Sequence, residues 1–221
     1  MSRWETRIAL LLLPTALIYV SPAAAVEEAK PGLATAILET LPVKGRAPKT
    51  GYSRAEFGQT WADVNRNGCD TRNDILKRDL ISISYKDKTR DCVVLTGVLV
   101  DRYSGETINF VRGNISSMDV QIDHVVALSN AWQTGAFKLT RIERTALAND
   151  PLNLLAVKGR LNSQKSDGDA ATWLPPLKSF RCAYVAQQIA VKAKYSLWVT
   201  APEKSAMAGI LAKCPTQVAP S

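Results

Sequence analysis

The sequence predicts an α+β fold in a single domain, and three observations carry that reading. Short runs rich in valine, isoleucine and threonine gather between residues 81 and 125, bounded by turn residues. Helical spacing dominates residues 179–213. Helices thus surround a central group of strands rather than alternating with them, the arrangement of an α+β layer fold.

The elements follow in order. Arg3 and Arg7 precede the apolar run Ile8–Val20, and "SPAAA" ends in small residues, so residues 1–25 read as a secretory signal peptide cleaved after Ala25. The apolar run is too short for a spanning helix, which needs about 20 residues, and it contains Pro14. Secretion or export to a periplasm is expected, with no stable membrane insertion after cleavage. Residues 26–51 read as an N-terminal segment and linker. Within them "PGLATAILETL" suits a short helix, while "PVKGRAPKTG" carries proline, glycine and basic residues. The domain is expected over residues 52–214, with 215–221 as a tail.

Inside the domain, "CDTRNDILKRDL" (69–80) has cap residues ahead of Ile75, Leu76 and Leu80 and predicts a helix. "ISISY" (81–85) alternates like a strand. "CVVLTGVLVDRYSGETINFV" (92–111) reads as two strands around a Ser104-Gly105 turn, and "VQIDHV" (120–125) as another strand. "LTRIERTALAND" (139–150) is helical and stops before Pro151, and "LNLLAV" (152–157) is a short apolar strand. "SFRCAYVAQQIAVKAKYS" (179–196) is helical, and Thr200 with Glu203 forms a capping box for a last helix.

The chain carries 28 basic and 20 acidic residues, a net charge of +8. An exported protein of this charge favours polyanions such as nucleic acid, anionic lipid or wall polymers, although no dense basic run is present. Four cysteines, Cys69, Cys92, Cys182 and Cys214, fit two disulfides in an oxidising compartment. Three pairings are possible, and the spacings favour Cys69–Cys92 and Cys182–Cys214. A zinc site is disfavoured, because no C-x-x-C pair exists and the one histidine lies far from every cysteine in sequence.

That histidine, His124, follows Asp123 in "QIDHVVALSNAW". A lone histidine in an apolar run needs nothing more than a satisfied hydrogen bond. Successive strand residues also face opposite ways, so Asp123 and His124 share an opening only if the strand ends there. Asn153 and Asn162, read singly, are turn or cap residues. Together the order is Asp-His, then Asn, then Asn-x-x-Lys with Lys165. Of the other charged groups, Arg72, Asp74, Arg78 and Asp79 read as structural ion pairs before phosphate contacts, and Trp132 and Trp173 as core.

The stretches "IDHVVALSNAW", "ANDPLNLLAV" and "LNSQKSDGDAATWLPP", with "GCDTRNDILKRDL" and "VLTGVLVDRYSGETINF" before them, resemble the exported HNH proteins related to the C-terminal domain of GmrSD-type restriction enzymes. The resemblance spans most of residues 52–214. It implies an HNH ββα-metal motif, two short strands and a helix around one ion, embedded in the single domain beside a β-hairpin and flanking helices. Asp123 and Asn162 would be the metal ligands and His124 the general base. Asn153 would brace the loop that orients His124, and Lys165 would contact phosphate or support the site. The implied activity is metal-dependent hydrolysis of phosphodiester bonds, in DNA first and RNA second. Two hard oxygen ligands suit Mg²⁺ or Mn²⁺ over Zn²⁺. The alternative is a non-catalytic exported protein that holds nucleic acid or another polyanion on the same fold. The stretch from His124 to Asn153 is longer than in compact HNH motifs and includes the helix near 139–148. No oligomeric state is predicted.

Overall fold

The computed structural model describes Met1, residues 32–114 and residues 116–221. The expected signal peptide, beyond Met1, lies outside the described residues. Among them no helix is long and apolar enough to cross a membrane.

Asp70 caps α2 (Thr71–Asp79) by accepting a hydrogen bond from the Asn73 backbone N–H, and α2 runs directly into strand β1 (Leu80–Tyr85). The preceding helix α1 spans Ala34–Thr40. Strands β2 (Val94–Val100) and β3 (Thr107–Val111) complete an antiparallel sheet in the order β1-β2-β3. The turn between β2 and β3 is the one expected at Ser104-Gly105, where Gly105 takes φ +82°. A second, two-stranded sheet pairs β4 (Val120–His124) with β5 (Leu154–Lys158), placing His124 opposite Leu154.

Between β4 and β5 the chain forms α3 (Leu128–Gln133) and α4 (Arg141–Asn149), the latter opened by a Thr140/Glu143 capping box. Helix α5 (Gly159–Lys165) follows β5 without a loop. Gly159 is required by a close approach, since a Cβ there would stand 1.9 Å from the Met118 carbonyl oxygen. β4, β5 and α5 therefore form a strand–strand–helix unit inside a larger α+β domain. The C-terminal part adds α6 (Arg181–Lys194) and α7 (Ala201–Leu211), and α7 carries the expected Thr200/Glu203 capping box.

β5 is buried on both faces, which explains its unbroken apolar sequence. Leu154 and Ala156 pack with Ile75 and Leu76 of α2, while Leu155 and Val157 pack with Tyr184, Val185 and Ile189 of α6. This fixes the two faces of β4 as well. Val120 and Ile122 join the α2 side, and Asp123 points to the other. Two disulfides close the frame: Cys69–Cys92 ties the start of α2 to the approach to β2, and Cys182–Cys214 ties α6 to the end of α7.

Packing extends beyond the limits expected for the domain. Ala34 and Leu38 of α1 are buried in the cluster that holds Met207 and Leu211, and Ala219 of the expected tail is buried there too. The basic, proline-rich stretch after α1 has exposed side chains but a tethered backbone. Lys44 N–H donates to the Val199 carbonyl, Ala47 N–H to that of Gln133, and the Trp198 indole to that of Gly45. Composition reports side-chain exposure, and these main-chain bonds leave no trace in it. Helix α3 was also unforeseen, because six residues are too few to display a period.

Candidate active site

The residues singled out in the sequence converge where β4 ends. Asp123, His124 and Asn162 line one cavity of about 90 Å³, together with Arg54 and Ser166.

His124 is 8% exposed, and its Nε2 lies 2.9 Å from the Ala148 carbonyl oxygen at the end of α4. A carbonyl only accepts, so Nε2 carries the proton and Nδ1 keeps its lone pair. Burial lowers the imidazole pKa from 6.5 to about 4, the Arg54 and Lys165 charges add to that, and the Ala148 bond opposes it. The ring is neutral at pH 7 and its Nδ1 is available as a base. The Trp61 ring lies parallel to it, with centroids 5.9 Å apart and planes 10° apart.

Asp123 is 4% exposed and faces the other side of β4. Its Oδ2 accepts from the Tyr103 hydroxyl at 2.5 Å, and its Oδ1 from the Lys165 ammonium at 2.9 Å. Burial pushes the carboxyl above its ordinary range, against the pull of Lys165 and Tyr103. Tyr103 is wholly buried, and burial and the Asp123 charge raise its phenol well above the usual value. Lys165 also donates to the His124 carbonyl at 2.8 Å. The Lys165 ammonium is buried, and both of these bonds are made inside the protein, to Asp123 and to the β4 backbone.

Asn153 is fully buried and holds the chain leaving β4. Its Oδ1 accepts from the Val126 N–H at 2.8 Å, and its Nδ2 donates to the Val126 and Leu147 carbonyls. Its own carbonyl accepts from Val125 N–H. The segment after His124 and the end of α4 are thus clamped by one side chain. Asn162, half-buried on α5, donates through Nδ2 to Gln121 Oε1 at 2.8 Å, which leaves Oδ1 for a ligand.

The donor set on this cavity is one carboxylate and one amide oxygen. Among the described residues no three His, Cys, Asp or Glu side chains gather to hold a metal. Hard oxygens suit Mg²⁺ or Mn²⁺, and a site with two protein ligands leaves positions for water and substrate. Each carboxylate oxygen of Asp123 retains a second lone pair beside its present hydrogen bond. The residues fit such an ion.

The four charged residues weighed above, Arg72, Asp74, Arg78 and Asp79, all bond to protein groups, Asp74 by accepting from the side chains of Asn65 and Asn67. Arg78 pairs with Asp79 in a two-pronged contact and donates to the Pro151 and Leu154 carbonyls, while Asp79 accepts from Ala156 N–H. These bonds pin the turn and strand that carry Asn153. Arg72 donates to the Val120 carbonyl. Trp132 lies in the core and Trp173 packs against Tyr103.

Three site residues escaped the sequence reading: Tyr103, Trp61 and Arg54. Tyr103 comes from the β2–β3 turn and Arg54 and Trp61 from the segment that precedes α2, and only the fold brings them to β4.

The family described as "GmrSD restriction endonucleases, C-terminal domain" matches residues 70–210. A protein of Arthroderma benhamiae described as an uncharacterized secreted protein is 37% identical over 183 residues, covering 82% of this chain and 84% of that protein. No solved structure matches.

Proposed function

The chain belongs to the family of GmrSD restriction endonuclease C-terminal domains, and from that premise we propose that it is an exported, metal-dependent HNH endonuclease hydrolysing phosphodiester bonds of DNA. One observation carries the reading. His124 has Nε2 committed to the Ala148 carbonyl and, among the described residues, no hydrogen bond at Nδ1, and it lines the same cavity as the oxygen donors Asp123 and Asn162.

In this reading Nδ1 of His124 takes the proton of a water attacking phosphorus. Asp123 and Asn162 would hold a divalent ion, which would supply Lewis-acid stabilisation of the phosphate and leaving oxygen. Lys165 and Tyr103 hold the Asp123 carboxylate in one orientation, and Asn153 keeps the strand end from unwinding under His124. Trp61 fixes the ring plane and shields one face from water. Export is supported by the signal-like residues 1–25 and by the description of the Arthroderma relative as secreted.

Purified protein incubated with plasmid DNA is expected to nick and linearise it in Mg²⁺ or Mn²⁺, and to lose that activity in EDTA. Structured RNA run in parallel decides the substrate. Cleavage of RNA alone replaces DNA in the proposal, and no cleavage of either across metals and pH refutes it.

A further inference from the structure

We propose that Arg54, on the segment preceding the family's matched residues, binds the phosphate of the nucleic acid at this site; the inference rests on the nuclease reading above. With Lys165 buried against Asp123, that reading lacks a cation facing the substrate. Arg54 is exposed, and among the described residues its guanidinium has neither ion pair nor hydrogen bond. The neighbouring cations are occupied: Lys49 pairs with Asp167, Arg144 with Glu56, and Arg72 donates to the Val120 carbonyl.

Position singles it out further. Arg54 lines the cavity of about 90 Å³ with Asp123, His124 and Asn162, and also the adjoining one of about 20 Å³ with Trp61, His124 and Asn149. It borders as well the wider cleft of about 480 Å³ that extends past Asn162 and Ser166. On the second cavity, Asn149 is 1% exposed and its Oδ1 has no hydrogen-bond partner among the described residues. A buried acceptor left open is costly, and here a donor from bound substrate or its water would satisfy it.

The segment delivering Arg54 is held firmly. Arg54 begins a 3-10 turn (Arg54–Phe57) in which Phe57 is buried in the cluster of Trp132 and Leu147. Arg144 of α4 grips the Glu56 carbonyl at 2.8 Å and its carboxylate at 3.2 Å. Gly58 has φ +80°, and a Cβ there would come within 2.2 Å of Thr145 Oγ1. Trp61 closes the segment on His124, its ring parallel to the imidazole. A planar guanidinium on a fixed backbone matches two phosphate oxygens at once, which an ammonium does not.

The test uses the full chain with His124→Ala as background, so that substrate stays intact. Affinity for labelled DNA is read by fluorescence anisotropy across a salt series. Arg54→Ala is expected to weaken binding about tenfold and to lower the salt slope by about one, the loss of one phosphate contact. Arg54→Lys is expected to keep the slope and recover only part of the affinity. Thermal melting of each variant is expected to match its parent, since the side chain is exposed. Unchanged affinity and slope in Arg54→Ala overturn the proposal, as does full recovery by lysine. Cleavage assays separate the two levels. If the unsubstituted protein cuts and Arg54→Ala cuts with unchanged KM and kcat, Arg54 alone is wrong; if the unsubstituted protein cuts no nucleic acid, the nuclease reading falls and Arg54 with it.

Discussion

Replacing His124 with alanine is expected to slow phosphodiester cleavage by about 10²–10⁴-fold, the usual contribution of a positioned general base. No other imidazole can take its place, because the chain has one histidine. The variant also leaves the Ala148 carbonyl without its donor, at a cost of about 1–3 kcal/mol, so melting curves must accompany the kinetics. His124 has a second signature in stability. Its folded pKa is about 4, against about 6.5 in an unfolded chain. Between those values the unfolded state binds more protons, so the folded protein loses stability as pH falls from about 6.5 towards 4. Asp123, whose carboxyl is shifted upwards, acts in the opposite sense. The difference between the protein and its His124→Ala variant isolates the imidazole, and urea unfolding at several pH values reads it. Equal cleavage by the two proteins would remove His124 from the mechanism.

Lys165→Met is expected to destabilise the fold by about 3–5 kcal/mol, the cost of breaking a buried pair from one side. The Asp123 carboxylate would then be buried with the Tyr103 hydroxyl as its remaining side-chain donor, and the His124 carbonyl would lose a donor too. Asp123→Asn combined with Lys165→Met removes both charges and is expected to cost much less than the lysine substitution alone. Urea unfolding of the three variants forms a double-mutant cycle. A Lys165→Met protein as stable as the parent would mean that the ammonium does not hold Asp123. The prediction also separates the two tasks of Lys165, since loss of an exposed phosphate contact would leave stability nearly unchanged.

The sequence singled out Asp123, His124, Asn153 and Asn162 through their resemblance to the GmrSD-related HNH proteins, because each read alone has an ordinary structural explanation. Local geometry sets only part of their spacing: Asp123 and His124 end one strand and Asn162 lies on the helix that follows β5, whereas α3 and α4 separate His124 from Asn153. The disulfide partners were legible through short separations along the chain. Tyr103, Trp61 and Arg54 were not. Tyr103 reaches Asp123 because the β2–β3 turn packs against α6, and Trp61 reaches His124 because Phe57 and Glu56 anchor their segment on α4. Neither contact has a sequence period to announce it. Lys165 entered through the same resemblance, and its burial against Asp123 has no signal in the sequence. The backbone tethers of residues 44–47 were hidden for a related reason, since exposed basic side chains say nothing about where their amides bond.

In the proposed mechanism Asp123 and Asn162 share one ion beside His124. Crystals soaked in Mn²⁺ and measured at the manganese absorption edge test it most directly. The expected result is a single anomalous peak about 2.1 Å from an Asp123 carboxylate oxygen and from Asn162 Oδ1, the distance of magnesium-like oxygen ligation. A map with no peak on that cavity, or with the ion held by other residues while cleavage still requires metal, would contradict it.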